Sequence, residues 1–261
     1  MTTKLPKIGS YDFLCEPFHC DFSKRLFIGY LGNHMLNSAD YHSNDRDFGM
    51  NYLAPLHKTW VLSRLAIEVI EMPKAYDRFT VSTWVESAMR YFTNRNFLVK
   101  DSSSQQVLAY GKSIWAMIDT ETRQPQDILS VRDGDIANYI EKETPCPIGK
   151  LSRVKMSKEA QKCHETIATY TDTDYNGHVN SIKYIDHILD IYPLEYYKTH
   201  SLQRIDIAYV AESYCGDTLS FYKEEDTDGG TMISVRKKND MLEEEVEVVR
   251  CKLSFSKSIS K

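Results

Sequence analysis

Internal repetition is the feature that most restricts how this chain can fold. Arg64-Leu65-x-Ile67 with Asp77 matches Arg204-Ile205-x-Ile207 with Asp217, and both pairs of positions stand 140 residues apart (204 − 64 and 217 − 77). In a chain of 261 residues that spacing predicts two similar domains, because single hydrophobic cores stop growing near about 250–300 residues. Matched amphipathic strands are weak evidence alone, and the order of elements around them carries the argument. In the first half Phe27, Ile28, Leu31, Met35, Leu36 and Ala39 recur at helical spacing, predicting one helix over 24–44. Runs rich in Val, Ile, Thr, Trp and Phe follow at 59–72, 78–88, 91–101 and 105–119 and read as strands. The second half repeats the order: a strand at 163–170, a helix at 179–190 with Val179, Ile182, Ile185 and Leu189 on one face, then strands from 203 onward. Asp228-Gly229-Gly230 and Asn239-Asp240 read as hairpin turns, and 141–152, with two prolines and a glycine among polar residues, reads as a linker.

A helix followed by antiparallel strands, twice over, predicts the α+β class. Each domain becomes an antiparallel sheet wrapped around a long helix, which is the hotdog fold, here as a tandem double hotdog with an N-terminal domain over 1–145 and a C-terminal domain over 146–261. Sheet edges paired within one chain would be protected from aggregation, so a single chain suffices, with room for a homodimer. Apolar residues at 42% and charged residues at 26% suit an ordinary globular protein. The net charge of −5, with no Lys/Arg block, argues against nucleic acid as a partner. Six cysteines without a C-x-x-C pair, and a start (MTTKLPKIGSYDF) without the apolar core of a secretory signal, predict free thiols in a reducing cytoplasm. No apolar run approaches the roughly 20 residues that span a bilayer, so integral membrane contact is not expected. His19 between Cys15 and Cys20, and the pair Cys163-His164, do not match zinc spacings, and no metal or organic cofactor is expected. Trp60, Trp84 and Trp115 fall on expected strands and read as core.

Asp172-Thr173-Asp174-Tyr175-Asn176-Gly177-His178-Val179-Asn180 packs carboxylates, amides and an imidazole into one stretch just before the second helix. With Asn176 and Gly177 at the helix start, first-turn N–H groups lacking intrahelical partners would offer an oxyanion site. In the plainer alternative Asp174 and Asn176 cap the helix and turn the chain, and His178 lies on the surface.

The segment D-Y-N-G-H-V-N-S-I-K-Y-I at 174–185 resembles the D-x-N-x-H-V-N-N-x-K-Y-I motif of plant members of the acyl-acyl-carrier-protein thioesterase family. The family places a glutamate 34 residues beyond the motif histidine, and Glu212 stands there. Trp84-Val85 and Ser113-Ile114-Trp115-Ala116-Met117 look like two of its strands. Short D-x-x-G-H-V-N segments also occur in acyl-CoA hotdog thioesterases. The resemblance implies release of free fatty acid from acyl carrier protein, with Asp174, Asn176, His178 and Glu212 as the catalytic group and the first domain lining the acyl tunnel. The acidic carrier protein would meet a basic surface drawn from Arg90, Arg95, Lys100 or Lys112. One departure stands out: plant members carry a cysteine directly after the glutamate, where this chain has Ser213, with Cys215 two residues on. On an extended strand 213 and 215 face away from Glu212, so a water nucleophile is expected, with Glu212 as its base, Asn176 orienting and Asp174 bracing Asn176 or His178. His178 sharing the proton transfer is the variant of this scheme. The rivals are an acyl-CoA thioesterase, a hotdog dehydratase and a non-catalytic acyl-binding hotdog module.

Overall fold

The computed structural model describes residues 5–157, 160–239, 241 and 243–257, and the chain divides into two compact units, Met1–Gly149 and Lys150–Lys261. The first contains β1 (Gly9–Leu14), α1 (Ile28–Asn44), α2 (Met50–Leu53), β2 (Lys58–Val69), β3 (Arg78–Ala88), β4 (Phe92–Asp101) and β5 (Val107–Asp119). Its strands form an antiparallel sheet in the order β1-β3-β4-β5-β2. The second contains β6 (Gln161–Ile167), α3 (Ser181–Asp190), α4 (Leu194–Thr199), β7 (His200–Tyr209), β8 (Thr218–Glu225), β9 (Thr231–Lys238) and β10 (Val246–Lys257). Its order is β7-β10-β9-β8-β6, again antiparallel. Each unit is thus a five-stranded antiparallel sheet with its own helix, and the tandem hotdog architecture follows.

Periodicity accounts for the burial. α1 places Leu31, Met35 and Ala39 in the core at four-residue steps, while β2, β3 and β4 bury Leu65, Ile67, Phe79, Val81, Phe97 and Val99. Gly111 on β5 marks the closest approach of the helix, since a Cβ there would lie 2.9 Å from the Met35 sulfur. α3 buries Ile182, Ile185 and Ile188, and its sheet buries Ile205, Ile207, Leu219, Phe221, Ile233 and Val235. Each such side chain contributes about 1.5–3 kcal/mol. Trp84 is fully buried, and the half-buried Trp60 donates its indole N–H to the Phe48 carbonyl at 2.8 Å.

Several boundaries differ from the expectation. α1 begins at Ile28, because Lys24 adopts a left-handed conformation (φ 62°) and Leu26 pairs with Cys20. α3 begins at Ser181, because Val179 is extended against Thr173 and Asn180 is the N-cap, accepting from the Ile182 N–H at 2.8 Å. β7 ends at Tyr209, short of Glu212. Sequence patterning did not predict β1, α2, α4 or the 3-10 turns over Ile128–Tyr139, which cover Phe48, Leu53, Val85 and Met117 with Ile128, Val131, Ile136 and Tyr139. The turn at 228–230 joins β8 to β9 as expected, whereas Asp240 of the other expected turn lies outside the described residues. Among the described residues no helix is long and apolar enough to cross a membrane.

Candidate active site

In the second unit a 3-10 turn, Tyr170–Asp172, delivers the chain into a loop over 173–180. Asp172 anchors the turn: its carboxylate accepts from the Thr169 N–H at 2.7 Å and contacts His187 Nε2 on α3 at 2.9 Å. Burial pushes that carboxyl up, but the bonds from Thr169 and the His187 ring outweigh it and hold it below the usual range. Asp174 then organises the loop. Its Oδ1 accepts from the N–H groups of Asn176 (2.8 Å) and His178 (3.2 Å), its own N–H donates to the His178 carbonyl (2.8 Å), and its carbonyl accepts from Gly177 (3.0 Å). Gly177 supplies the left-handed residue that closes the turn (φ 82°).

This arrangement corrects two expectations. Asn176 and Gly177 do not start the helix, and the N–H groups of residues 176, 177 and 178 are all committed to Asp174, so they form no oxyanion site. Asn176 is exposed, and its side-chain amide makes no hydrogen bond among the described residues.

Glu212 arrives from the opposite side, in an irregular segment after β7 and not on a strand. This segment is zipped to the first loop: Val179 N–H donates to the Ser213 carbonyl at 2.8 Å and His178 bridges to Tyr214. The result is His178 Nε2 at 3.4 Å from Glu212 Oε2, with the side chains 23% and 31% exposed. Both are therefore shielded yet reachable by water. The Tyr214 ring lies edge-on to the His178 ring at 5.1 Å. Ser213 is fully buried and Cys215 is exposed, so the strand-face argument about them does not apply. Burial drives the nearby Tyr184 phenol on α3 up to about 12, partly offset by Ser213. A carboxylate and an imidazole in contact at a partly open surface can take a proton from water and return it to a leaving group.

Sequence reasoning missed Lys237 on β9. Its ammonium donates to the Glu212 carbonyl at 2.6 Å, lies 3.7 Å from the buried Asp217 carboxylate and 5.3 Å from the Tyr214 ring centre. Asp217 Oδ2 in turn accepts from the Tyr214 N–H at 2.9 Å. A basic residue two strands away in the sequence carries no local signal, so only the fold reveals it.

The first unit contains the same backbone frame without the same side chains. Asp21 Oδ1 accepts from Ser23 (2.8 Å) and Arg25 (3.2 Å), Asp21 N–H donates to the Arg25 carbonyl (2.8 Å), and Leu26 N–H donates to the Pro73 carbonyl (2.9 Å). Arg25 bridges to Lys74 as His178 bridges to Tyr214, and Asp77 accepts from the Lys74 N–H at 2.9 Å as Asp217 does from Tyr214. Left-handed Lys24 and Tyr76 stand where the second unit has Gly177 and Gly216. In this correspondence Ser23, Arg25 and Met72 occupy the places of Asn176, His178 and Glu212.

Of the residues proposed for a basic surface, Arg95 is corrected. It is buried, and its guanidinium donates to the Thr83 (3.2 Å) and Ser43 (3.0 Å) hydroxyls. Arg90 pairs with Asp127 at 3.3 Å and Lys112 with Glu86 at 2.9 Å, which leaves each locally neutralised. Cys15 and Cys20 touch, Sγ to Sγ 3.4 Å, and among the described residues no group of three or more His, Cys, Asp or Glu is arranged to hold a metal ion.

Comparison with known proteins gives concordant matches. Residues 10–133 match the family described as acyl-ACP thioesterase N-terminal domain, and residues 155–257 match acyl-ACP thioesterase C-terminal domain. An oleoyl-acyl carrier protein thioesterase, chloroplastic, of Coriandrum sativum is 28% identical over 244 residues, covering 85% of this chain and 64% of the relative. A palmitoyl-acyl carrier protein thioesterase, chloroplastic, of Gossypium hirsutum is 26% identical over 218 residues, covering 80% and 52%. The chain thus spans between half and two thirds of the length of these curated relatives. Among solved structures, an acyl-ACP thioesterase from Bacteroides thetaiotaomicron superimposes with a TM-score of 0.87 at 47% identity, covering 96% of this chain and 98% of that one. The 12:0-ACP thioesterase from Umbellularia californica shares the fold, with a TM-score of 0.82 at 18% identity over 98% of this chain and 100% of that one.

Proposed function

The chain belongs to the acyl-ACP thioesterase family, and from that membership we propose that it hydrolyses fatty acyl-acyl carrier protein to free fatty acid and carrier protein. The observation that carries the proposal is the contact between His178 and Glu212 at 3.4 Å, on two loops held together by their own backbone hydrogen bonds. Glu212 removes a proton from water as the water oxygen attacks the thioester carbonyl carbon. The tetrahedral intermediate collapses with cleavage of the carbon–sulfur bond, and the proton passes by way of Glu212 or His178 to the departing thiolate. Asn176, exposed and with no hydrogen bond to its side-chain amide among the described residues, donates to the developing oxyanion or orients the water. Asp174 acts through the loop it organises.

We assign the chemistry to the C-terminal domain, 146–261, because the first unit carries Ser23, Arg25 and Met72 in the corresponding places. The N-terminal domain, 1–145, takes the acyl chain, the role that the family resemblance implies for the first domain. Six cysteines without a disulfide among them suit a reducing cytoplasm.

The test is steady-state hydrolysis of acyl-acyl carrier protein beside the matching acyl-CoA. Glu212→Gln is expected to lower kcat by about a hundred- to ten-thousand-fold, the range for loss of a positioned base. Cys215→Ser should leave turnover unchanged. Full activity in Glu212→Gln, or a clear preference for the CoA carrier, would sink the proposal.

A further inference from the structure

The two units share a loop frame, and that duplication separates what the backbone requires from what the chemistry requires. Asp21 and Asp174, and likewise Asp77 and Asp217, make matching hydrogen bonds in both copies, so these four hold the frame. The side chains that differ are the candidates for function. Glu212, His178 and Asn176 are three of them, and the strand registers identify a fourth. Phe79 on β3 pairs with Asp101 on β4, and Leu219 on β8 pairs with Lys237 on β9; Phe79 and Leu219 each lie two residues beyond the shared aspartate. Lys237 therefore stands where the first unit has Asp101, an opposite charge. Asp101 turns back on its own hairpin, accepting from Ser103 and Ser104. Lys237 reaches across to the Glu212 carbonyl at 2.6 Å.

We infer that Lys237 is a positioning residue of the hydrolytic site, fixing the peptide that carries Glu212. The inference rests on the hydrolase reading above. Three contacts from one ammonium tie the segment that bears the base: the Glu212 carbonyl, the Tyr214 ring and Asp217. That segment has no ladder of its own, since β7 ends at Tyr209 and β8 begins at Thr218. Tyr214, also confined to the second unit, transmits the same restraint to the His178 ring. The side chain of Lys237 is only 14% exposed, so its charge acts with little screening by solvent.

Lys237→Met and Lys237→Arg, assayed with Glu212→Gln on acyl-acyl carrier protein, test the inference. In Lys237→Met kcat should fall about ten- to a hundredfold with KM changed less than about threefold, because loosening a base by a fraction of an ångström damages the transition state more than binding. Lys237→Arg, which keeps charge and reach, should recover most of kcat. Should Lys237→Met fail to fold, Lys237→Gln is judged by the same criteria. A wild-type kcat in a folded Lys237→Met or Lys237→Gln, or an equal loss of kcat in Lys237→Arg, while Glu212→Gln is inactive, would overturn the role of Lys237 and leave the hydrolase reading standing. A wild-type chain without activity on acyl-acyl carrier protein overturns both.

Discussion

At the scale of residues, Asp174 and Glu212 play different parts although both belong to the motif. Asp174 accepts two backbone N–H bonds, and Asp21 makes the same two in a loop that lacks the imidazole and the second carboxylate. Its effect on turnover is therefore indirect, through the position of Asn176 and His178. Asp174→Ala should lower kcat about tenfold to a hundredfold, as expected when a reacting group shifts by roughly an ångström. Asp21→Ala should leave turnover within about twofold while costing about 1 kcal/mol in urea unfolding, the net worth of such hydrogen bonds. If the two alanine variants damage turnover equally, the division between frame and chemistry is wrong. The motif residues were legible in the sequence because three of them lie within five positions, and Glu212 because its offset from His178 is fixed. Lys237 was not, because its relevance depends on which strand lies beside the loop.

At the scale of elements, periodicity located β2 to β5 and the bodies of α1 and α3, where alternation or a four-residue repeat has a buried face to report. It failed at ends. Val179 is apolar and in phase with α3, yet it is extended, because pairing with Thr173 and the Ser213 carbonyl competes successfully for it. Glu212 looked like a continuation of β7 for the same reason: pattern does not show where a ladder runs out of partners. β1 alternates only one strongly buried residue, Gly9, with half-exposed and exposed ones, so composition hides it. Asn180 is the residue that stops the loop and starts α3, and α1 has no comparable side-chain cap. Asn180→Ala should destabilise the protein by about 1 kcal/mol, read as a lower urea midpoint, and raise hydrogen exchange in the first turn of α3. An unchanged midpoint would show that tertiary packing alone sets that terminus.

At the scale of the whole molecule, acid should act on the first unit before the second. Burial, reinforced by Arg95 and Arg46, depresses His42 in the first unit from its ordinary 6.5 to about 2, so the folded state keeps it neutral where the unfolded chain would protonate. The stability this preserves is present above the unfolded value of 6.5 and is lost progressively as pH falls towards 2. In the second unit Asp172 begins to lose its contribution only below 3.8, its unfolded value. Burial raises Tyr184, Tyr192, Tyr197 and Tyr209 there, and what they contribute is present below their unfolded value of 10 and lost as pH climbs past it. Hydrogen exchange at pH 5 should therefore show the first unit opening before the second, and the reverse order would refute the assignment. Duplication was visible in four matched positions, and the matched hydrogen bonds that support it add a second pair of aspartates, Asp21 and Asp174, which the 140-residue register does not align. For anyone reshaping the protein, that twin scaffold means Asn, His, Glu and Lys could be transplanted to positions 23, 25, 72 and 101, each arriving on a socket whose peptide geometry is already cast.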